Sequence, residues 1–173
     1  MRPSIAVLAL VLTAAPLLAS IDENGAAPPP PNPVIDMDAH LRLSEEAARA
    51  RATHRVTEEE FLRMSREPGT VILDARSKEK YDELHVRGAV NLSFPDMTAA
   101  SLAAAIPSPS TRVLIYCNNN FVNAASAFPL KAPAASLNLS TYVTLTIYGY
   151  RNVWELAPLL DAKACRLELE PSP

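Results

Sequence analysis

The sequence predicts an α/β domain with a mostly parallel sheet covered by helices. Two observations predict this class. Short apolar segments alternate with helical patterns from residue 57 onward, and residues 113–116 are continuously apolar, as a strand buried on both faces requires. A chain of 173 residues with 49% hydrophobic and 20% charged residues can form one such core. We therefore expect one domain with short appendages.

The first appendage resembles an export signal. Arg2 supplies a positive charge, residues 5–18 are apolar apart from Thr13, and small residues follow. This apolar run is shorter than the about 20 residues that span a bilayer. Residues 1–20 are therefore predicted to be a cleaved signal peptide of a periplasmic or secreted protein with no stable membrane insertion. An uncleaved anchor is the alternative.

Residues 21–36 are predicted to be a proline-rich linker, because the segment AAPPPPNP favours extended backbone. Residues 37–56 are assigned to an N-terminal helical extension, with Asp38 as the expected N-cap. The folded domain is assigned to residues 57–170. It is predicted to begin with a helix that carries a Thr57–Glu60 capping box and ends at a left-handed Gly69.

Strands and helices then alternate along the chain. The predicted strands are residues 71–73, 89–92, 113–116 and 152–155, and the predicted helices are residues 77–84, 98–106 and 134–148. Residues 118–133 have no clear period and are predicted to be a loop. The last helix is expected to bury Leu139, Val143 and Ile147 on one face and to end at Gly149.

Cys117 is the candidate reactive residue. It follows the strand at residues 113–116, and ligands bind beyond the carboxyl ends of strands in open parallel sheets. Backbone amides of the following loop can converge into an anion-binding nest. Such amides, with a helix N-terminus nearby, would favour the nucleophilic thiolate. The alternative is that Cys117 is simply a small buried apolar residue.

Four segments resemble the rhodanese family, namely VILDARSKEKY, HVRGAVN, VLIYC and YGYRNVWEL. The resemblance runs over about residues 57–160. It implies a rhodanese-like fold with a central, mostly parallel five-stranded sheet flanked by helices on both faces. It also implies that Cys117 is the sulfur-carrying nucleophile and that Asp74, Arg76 and His85 support the active loop. On the residues alone, Asp74 and Arg76 are expected to form a buried or half-buried polar pair instead of acting on substrate. His85 is expected to be a hydrogen-bonded structural histidine instead of a base.

The resemblance implies sulfurtransferase chemistry, in which a sulfane-sulfur donor such as thiosulfate forms a persulfide on Cys117. A thiol or cyanide-type acceptor then removes the sulfur. The alternative is a catalytically inactive rhodanese-like module with a binding or regulatory role in the cell envelope, so enzymatic activity stays undecided at this stage. The expected partner is a small sulfur-containing anion or a thiol acceptor, for example a protein thiol.

The loop after Cys117 departs from the family pattern. The expected substrate-binding residues are Asn118, Asn119, Asn120, Phe121, Val122 and Asn123. Lys131 is the only cation within residues 118–133, so the sequence favours a neutral hydrogen-bonding pocket over an anion site. The alternative is that the asparagines form only a turn. Asn123 stands where a cysteine phosphatase or arsenate reductase would need an arginine, which disfavours that class.

Other function classes have little support. A net charge of -3 without a basic run argues against nucleic-acid binding. The histidines at positions 40, 54 and 85 lack ligand spacing, so neither a metal nor a cofactor is expected. We expect a monomer. Cys165 is expected to be an inert or exposed thiol, with a disulfide to Cys117 as the alternative.

Overall fold

The computed structural model describes residues 30–173. The predicted signal peptide and most of the predicted linker lie outside the described residues. Five α-helices lie in the described part: α1 Met37–Arg51, α2 Glu58–Ser65, α3 Lys78–Glu83, α4 Ala99–Ala105 and α5 Leu137–Ile147. The strands there are β1 Arg55–Val56, β2 Thr70–Asp74, β3 His85–Val86, β4 Val90–Asn91, β5 Arg112–Tyr116, β6 Phe121–Val122, β7 Val153–Leu156, β8 Leu160–Asp161 and β9 Leu169–Glu170. No helix in residues 30–173 has the length and apolarity needed to cross a bilayer.

Five strands form a central sheet in the order β1-β7-β5-β2-β4, and every pairing is parallel. This arrangement confirms the predicted fold class. β5 lies in the middle, so its end at Tyr116 opens onto the centre of one sheet edge. Two small sheets, β3 with β9 and β6 with β8, are additions that the sequence did not predict.

Both faces of the sheet are buried. Ile72 and Leu114 point into one core with α2 and α3, whereas Leu73, Val113 and Ile115 point into the other with α1, α4 and α5. Successive side chains of a strand point to opposite faces, so an apolar run such as β5 fills both cores. This burial explains why the segment carries no alternating polar residues.

Helix caps follow the sequence with two corrections. The N-cap of α1 is Asp36, whose carboxylate accepts the Ala39 N–H at 2.8 Å. The predicted N-cap, Asp38, is the second residue of the helix. Thr57 caps α2 as predicted, by accepting the Glu60 N–H at 3.2 Å. The Glu60 carboxylate binds the Arg63 guanidinium on the helix surface, and this pairing with a neighbouring cation replaces the reciprocal half of the capping box.

The segment 118–133 and α5 differ from the predictions. Within the predicted loop, Asn118–Asn120 form a 3₁₀ turn, and Phe121–Val122 form the short strand β6, which pairs with β8. The buried face of α5 includes Thr141, Tyr142 and Leu145, while Ile147 is exposed. Leu139 and Val143 are half-buried and face α1. The predicted face was wrong because α5 packs against both the sheet and α1.

Gly149 ends α5 as predicted, with a φ of +89°. Its N–H donates to the Thr146 carbonyl and the Tyr150 N–H donates to the Leu145 carbonyl, which is the Schellman pattern. A Cβ at this position would meet no atom within 4 Å, so a substitution is strained only by the backbone. We expect Gly149→Ala to lower the free energy of unfolding by about 1 kcal/mol in urea denaturation. Gly149→Asn should lose less, and an equal loss in both variants would contradict this explanation.

Candidate active site

Cys117 lies directly after β5, at the carboxyl end of the central sheet. Its side chain is 1% exposed, and the Sγ atom lies 3.4 Å from the Ser136 hydroxyl. Ser136 is the N-cap residue of α5 and its hydroxyl makes no capping bond to the helix. The sulfur therefore lies next to the N-terminus of an 11-residue helix, where partial positive charge favours an anion.

Cys117 lines a cleft with a volume of about 300 Å³, here called the Cys117 cleft. Its other lining residues come from α1, β1, the 3₁₀ turn after Cys117, the start of α5 and the end of β7. They are Arg51, Arg55, Asn119, Asn120, Pro133, Ser136, Asn138, Leu139, Glu155 and Ala157. Polar and charged groups from these five elements thus line the cleft beside the thiol.

Asn120 connects the elements around the cleft. Its side-chain oxygen accepts the Cys117 N–H at 2.9 Å and the Asn138 side-chain amide at 3.1 Å. Its side-chain nitrogen donates to the carbonyls of Leu156 at 2.8 Å and Pro158 at 3.2 Å. Buried amides need such partners, and Asn120 is only 5% exposed. Asn120 therefore holds the cysteine backbone relative to β7 and α5.

The backbone amides of Cys117, Asn120 and Phe121 bind groups within the turn that follows β5. The Asn120 N–H donates to the Cys117 carbonyl at 3.1 Å, and the Phe121 N–H donates to the Asn118 carbonyl. The Cys117 side chain also accepts the Asn120 N–H, so this amide is shared between the carbonyl oxygen and the sulfur of Cys117. The Phe121 N–H and the Cys117 N–H are directed to oxygens of the turn. Of these three amides, only that of Asn120 is directed to the sulfur, so the amides of Cys117 and Phe121 do not take part in the predicted nest.

The remaining predicted substrate-binding residues divide into two groups. Asn119 lines the cleft, and its side chain exchanges two hydrogen bonds with the Lys131 backbone, which closes the loop between them. Asn118 is buried and does not line the cleft. Phe121, Val122 and Asn123 do not line the cleft either.

Those three residues have structural contacts. Phe121 is fully buried and packs on Phe128 with ring centroids 4.5 Å apart. Val122 pairs with Asp161 in the β6–β8 sheet. Asn123 has a φ of +63° and donates to the Asp161 carboxylate at 2.8 Å. Asparagine tolerates this left-handed backbone, so its residue type is explained by the turn.

Asp74 and Arg76 form a fully buried ion pair below the loop. Arg76 Nε lies 3.0 Å from Asp74 Oδ1 and Nη2 lies 2.5 Å from Oδ2. The same guanidinium donates to the carbonyls of Ala127 and Leu84. Because Ala127 lies in the segment that follows Cys117, Arg76 fixes this segment from below. The two residues thus support the architecture and do not line the Cys117 cleft.

Tyr116 completes the polar contacts of Asp74. Its hydroxyl donates to Asp74 Oδ2 at 2.5 Å and accepts the Val86 N–H at 3.0 Å. Burial, together with the Asp74 carboxylate, raises the pKa of Tyr116 well above its ordinary value. His85 is also buried; its ring stacks on Tyr81 at 3.8 Å and Nδ1 lies 2.8 Å from the Tyr81 carbonyl. These contacts place His85 in the framework and not in the cleft.

Sequence reasoning missed Arg51, Arg55 and Glu155. Arg51 Nη2 donates to Glu155 Oε1 at 2.8 Å and Arg51 Nε binds the other oxygen, while Arg55 Nε lies 3.9 Å from Oε1. One signal could have found them: Glu155 interrupts an apolar strand pattern, and a buried carboxylate requires a cationic partner.

The two cysteines are free. Cys165 is half-buried, and its Sγ lies 3.5 Å from the Leu167 carbonyl. Burial, together with the Glu58 carboxylate, raises the pKa of the Cys165 thiol. A protonated thiol is a poor nucleophile, so Cys165 lacks the features that favour reactivity.

Comparisons with known proteins agree with this architecture. The family model described as "Rhodanese-like domain" matches residues 57–157, which is more than half of the chain. No curated protein matches the chain at a significant level.

Solved structures share the fold. A thiosulfate sulfurtransferase from Pseudomonas aeruginosa is 19% identical with a TM-score of 0.51, over 78% of this chain and 23% of that chain. A rhodanese from E. coli, described as containing anions, is 23% identical with a TM-score of 0.40, over 59% and 98% of the two chains. A rhodanese-like domain from Anabaena sp. is 19% identical with a TM-score of 0.47, over 68% and 79%.

Proposed function

The chain belongs to the rhodanese-like domain family, and on that premise we propose that it carries sulfane sulfur as a persulfide on Cys117 and passes it to a thiol or cyanide-type acceptor. One observation carries the proposal. Cys117 directly follows the central strand β5 and lines a polar cleft, and its sulfur lies 3.4 Å from the Ser136 hydroxyl at the start of α5. A hydroxyl donor and a helix N-terminus both stabilise a thiolate or a persulfide anion.

The proposed reaction has two displacements. In the first, the Cys117 thiolate attacks the outer sulfur of a donor such as thiosulfate; a new S–S bond forms, the donor S–S bond breaks, and sulfite leaves with the electron pair. In the second, an acceptor nucleophile attacks the outer sulfur, and Cys117 leaves as the thiolate. Neither displacement needs a further oxidant or reductant.

The cleft limits the donor and the acceptor in size. A volume of about 300 Å³ accommodates a small sulfur-containing anion or the end of a thiol side chain. Thiosulfate is the first donor to test, because the structural neighbour from P. aeruginosa is named for it. The predicted signal peptide supports export as part of the proposal, with an acceptor in the cell envelope.

We expect thiosulfate or polysulfide to add the mass of one sulfur atom to Cys117 in the full-length chain, and cyanide to remove it as thiocyanate. Cys117→Ser should abolish both the added mass and thiocyanate release. Cys165→Ser is the matched control and should retain both, because Cys165 does not line the cleft. Intact-protein mass spectrometry and a thiocyanate assay provide the measurement. A wild-type chain with a free Cys117 that never gains sulfur would refute the proposal.

One observation favours the alternative of an inactive binding or regulatory module. Cys117 is only 1% exposed, and the amides of Cys117 and Phe121 bind oxygens of the turn instead of the sulfur. The rate of iodoacetamide labelling distinguishes the two functions. A reactive site labels Cys117 faster in the native protein than in the unfolded protein, whereas an inert buried thiol labels only after unfolding.

A further inference from the structure

The positive charge of the Cys117 cleft comes from the segment before α2. We propose that Arg55, positioned beside the Arg51–Glu155 pair, binds the anionic part of molecules that reach Cys117, and so selects small sulfur oxyanions over neutral molecules. This inference rests on the proposed function for its substrate and adds a specificity residue that lies outside the residues matched by the family model, 57–157.

Arg51 and Glu155 neutralise each other. Glu155 is 4% exposed, and Arg51 contacts both of its carboxylate oxygens. This two-point geometry matches the planar guanidinium to the carboxylate and orders both side chains. Arg51 therefore has a compensated charge and acts mainly to position the carboxylate at the wall of the cleft.

Arg55 is different, because most of its hydrogen-bonding capacity is free of described contacts. Its Nε lies 3.9 Å from Glu155 Oε1, beyond hydrogen-bond distance, and its Nη2 donates a long bond of 3.4 Å to the Ala157 carbonyl. A guanidinium has five N–H donors. The side chain is 44% exposed, so a ligand in the cleft can reach those donors.

The charge balance points the same way. The charged residues that line the cleft are Arg51, Arg55 and Glu155, so two cations face one carboxylate. Lys131, the one cation of residues 118–133, is exposed and does not line the cleft. The net positive charge beside Cys117 therefore belongs to Arg55. On the other side of the thiol, Ser136 and the start of α5 favour the same sign of ligand charge.

This placement corrects the expectation from the loop sequence. Because Lys131 is the only cation of residues 118–133, the sequence suggested a neutral pocket. The parallel pairing of Arg55 with Glu155 brings the cation to the cleft from a strand that precedes Cys117 by more than sixty residues. A sulfonate or sulfite group would then lie between Arg55 and the Cys117 sulfur.

Two alkylating reagents of similar size test the proposal without sulfur transfer. Iodoacetate is an anion and iodoacetamide is neutral, and both form an S–C bond at the thiolate as iodide leaves. The readout is the rate of Cys117 alkylation by iodoacetate divided by the rate with iodoacetamide. Both rates are measured by mass spectrometry in the full-length Cys165→Ser protein. Arg55→Gln should lower this ratio about tenfold, which is the effect of losing one charge-assisted hydrogen bond.

Arg49→Gln is the matched control, since Arg49 lies on α1, is 70% exposed, and contacts only Glu45 among the described ion pairs. It should leave the ratio unchanged, and Arg55→Lys should restore part of it. In the parent protein, added sulfate should slow iodoacetate more than iodoacetamide, and Arg55→Gln should remove this difference.

Three results would overturn the inference: an unchanged ratio in Arg55→Gln, an equal drop in Arg49→Gln, or no alkylation of native Cys117 by either reagent. Failure of the proposed function gives a different pattern. In that case the ratio depends on Arg55 as expected, but thiosulfate and polysulfide add no sulfur to Cys117.

Discussion

Replacing Arg76 by methionine is expected to lower the free energy of unfolding by about 3–5 kcal/mol. Arg76 is 2% exposed and its guanidinium binds both oxygens of Asp74, which is 0% exposed. Methionine leaves that carboxylate buried without its cation. The Tyr116 hydroxyl and the backbone N–H of residue 76 still bind it, but neither carries a compensating charge. The carbonyls of Leu84 and Ala127 lose their donors as well.

Urea denaturation of Arg76→Met measures this loss. Arg87→Met is the control, because Arg87 also contacts two carboxylates, those of Glu168 and Glu170, but is 62% exposed. Exposed pairs contribute about 0–1 kcal/mol, so this variant should stay close to the wild type. Losses of similar size in the two variants would show that burial of the Asp74–Arg76 pair has no special effect.

Asn120→Asp is expected to lower the free energy of unfolding by about 3 kcal/mol at neutral pH, although it only replaces the side-chain NH₂ group by an oxygen. The asparagine nitrogen donates to the carbonyls of Leu156 and Pro158. An aspartate oxygen there would face two acceptors, and in a residue that is 5% exposed water cannot relieve the repulsion. The Cys117 N–H binds the side-chain oxygen of Asn120, so the rate of iodoacetamide labelling of Cys117 should also change in the variant.

The pH dependence of this variant has a defined sign. Burial and the two carbonyls disfavour the charged form, so the pKa of the introduced carboxyl is raised in the folded state. The variant should therefore be closest to wild type at low pH and should lose stability as pH rises through that raised pKa. Asn119→Asp is the control on the same turn. Asn119 is half-buried, and this variant loses one hydrogen bond to the Lys131 carbonyl. It should lower the free energy of unfolding by about 1 kcal/mol at most. A larger loss of unfolding free energy than in Asn120→Asp would contradict the argument.

Local patterns predicted the parts of the fold that depend on few residues. The strand before Cys117 is continuously apolar, and the structure buries it on both faces. Thr57, Ser77 and Thr98 begin helices because each side chain satisfies an amide of its own first turn. The last helix was harder, since its apolar residues lie on several sides and one period could not identify the buried face.

The position of Cys117 after the central strand was predictable, whereas most of the residues that line its cleft were not. Cys117 follows from its position after a strand, but the Arg51–Glu155 contact joins residues 104 positions apart. No local pattern encodes such a contact. The asparagines were interpreted as ligands of a substrate, whereas Asn120 and Asn123 bind protein groups. An amide side chain has the same residue type in either role, and only its neighbours distinguish them.

The edge strand β1 sets a lower limit on the autonomous folding unit. Arg55 and Val56 pair with Glu155 and Leu156, yet both precede the boundary of the family match. At the other end, β9 covers β3 from residues beyond that match. Trimming to residues 57–157 would expose the unpaired backbone of β7, onto which a strand of another molecule could pair. It would also leave the buried Glu155 carboxylate without Arg51, its cationic partner. The self-sufficient piece of this protein is thus longer at both termini than its family boundaries.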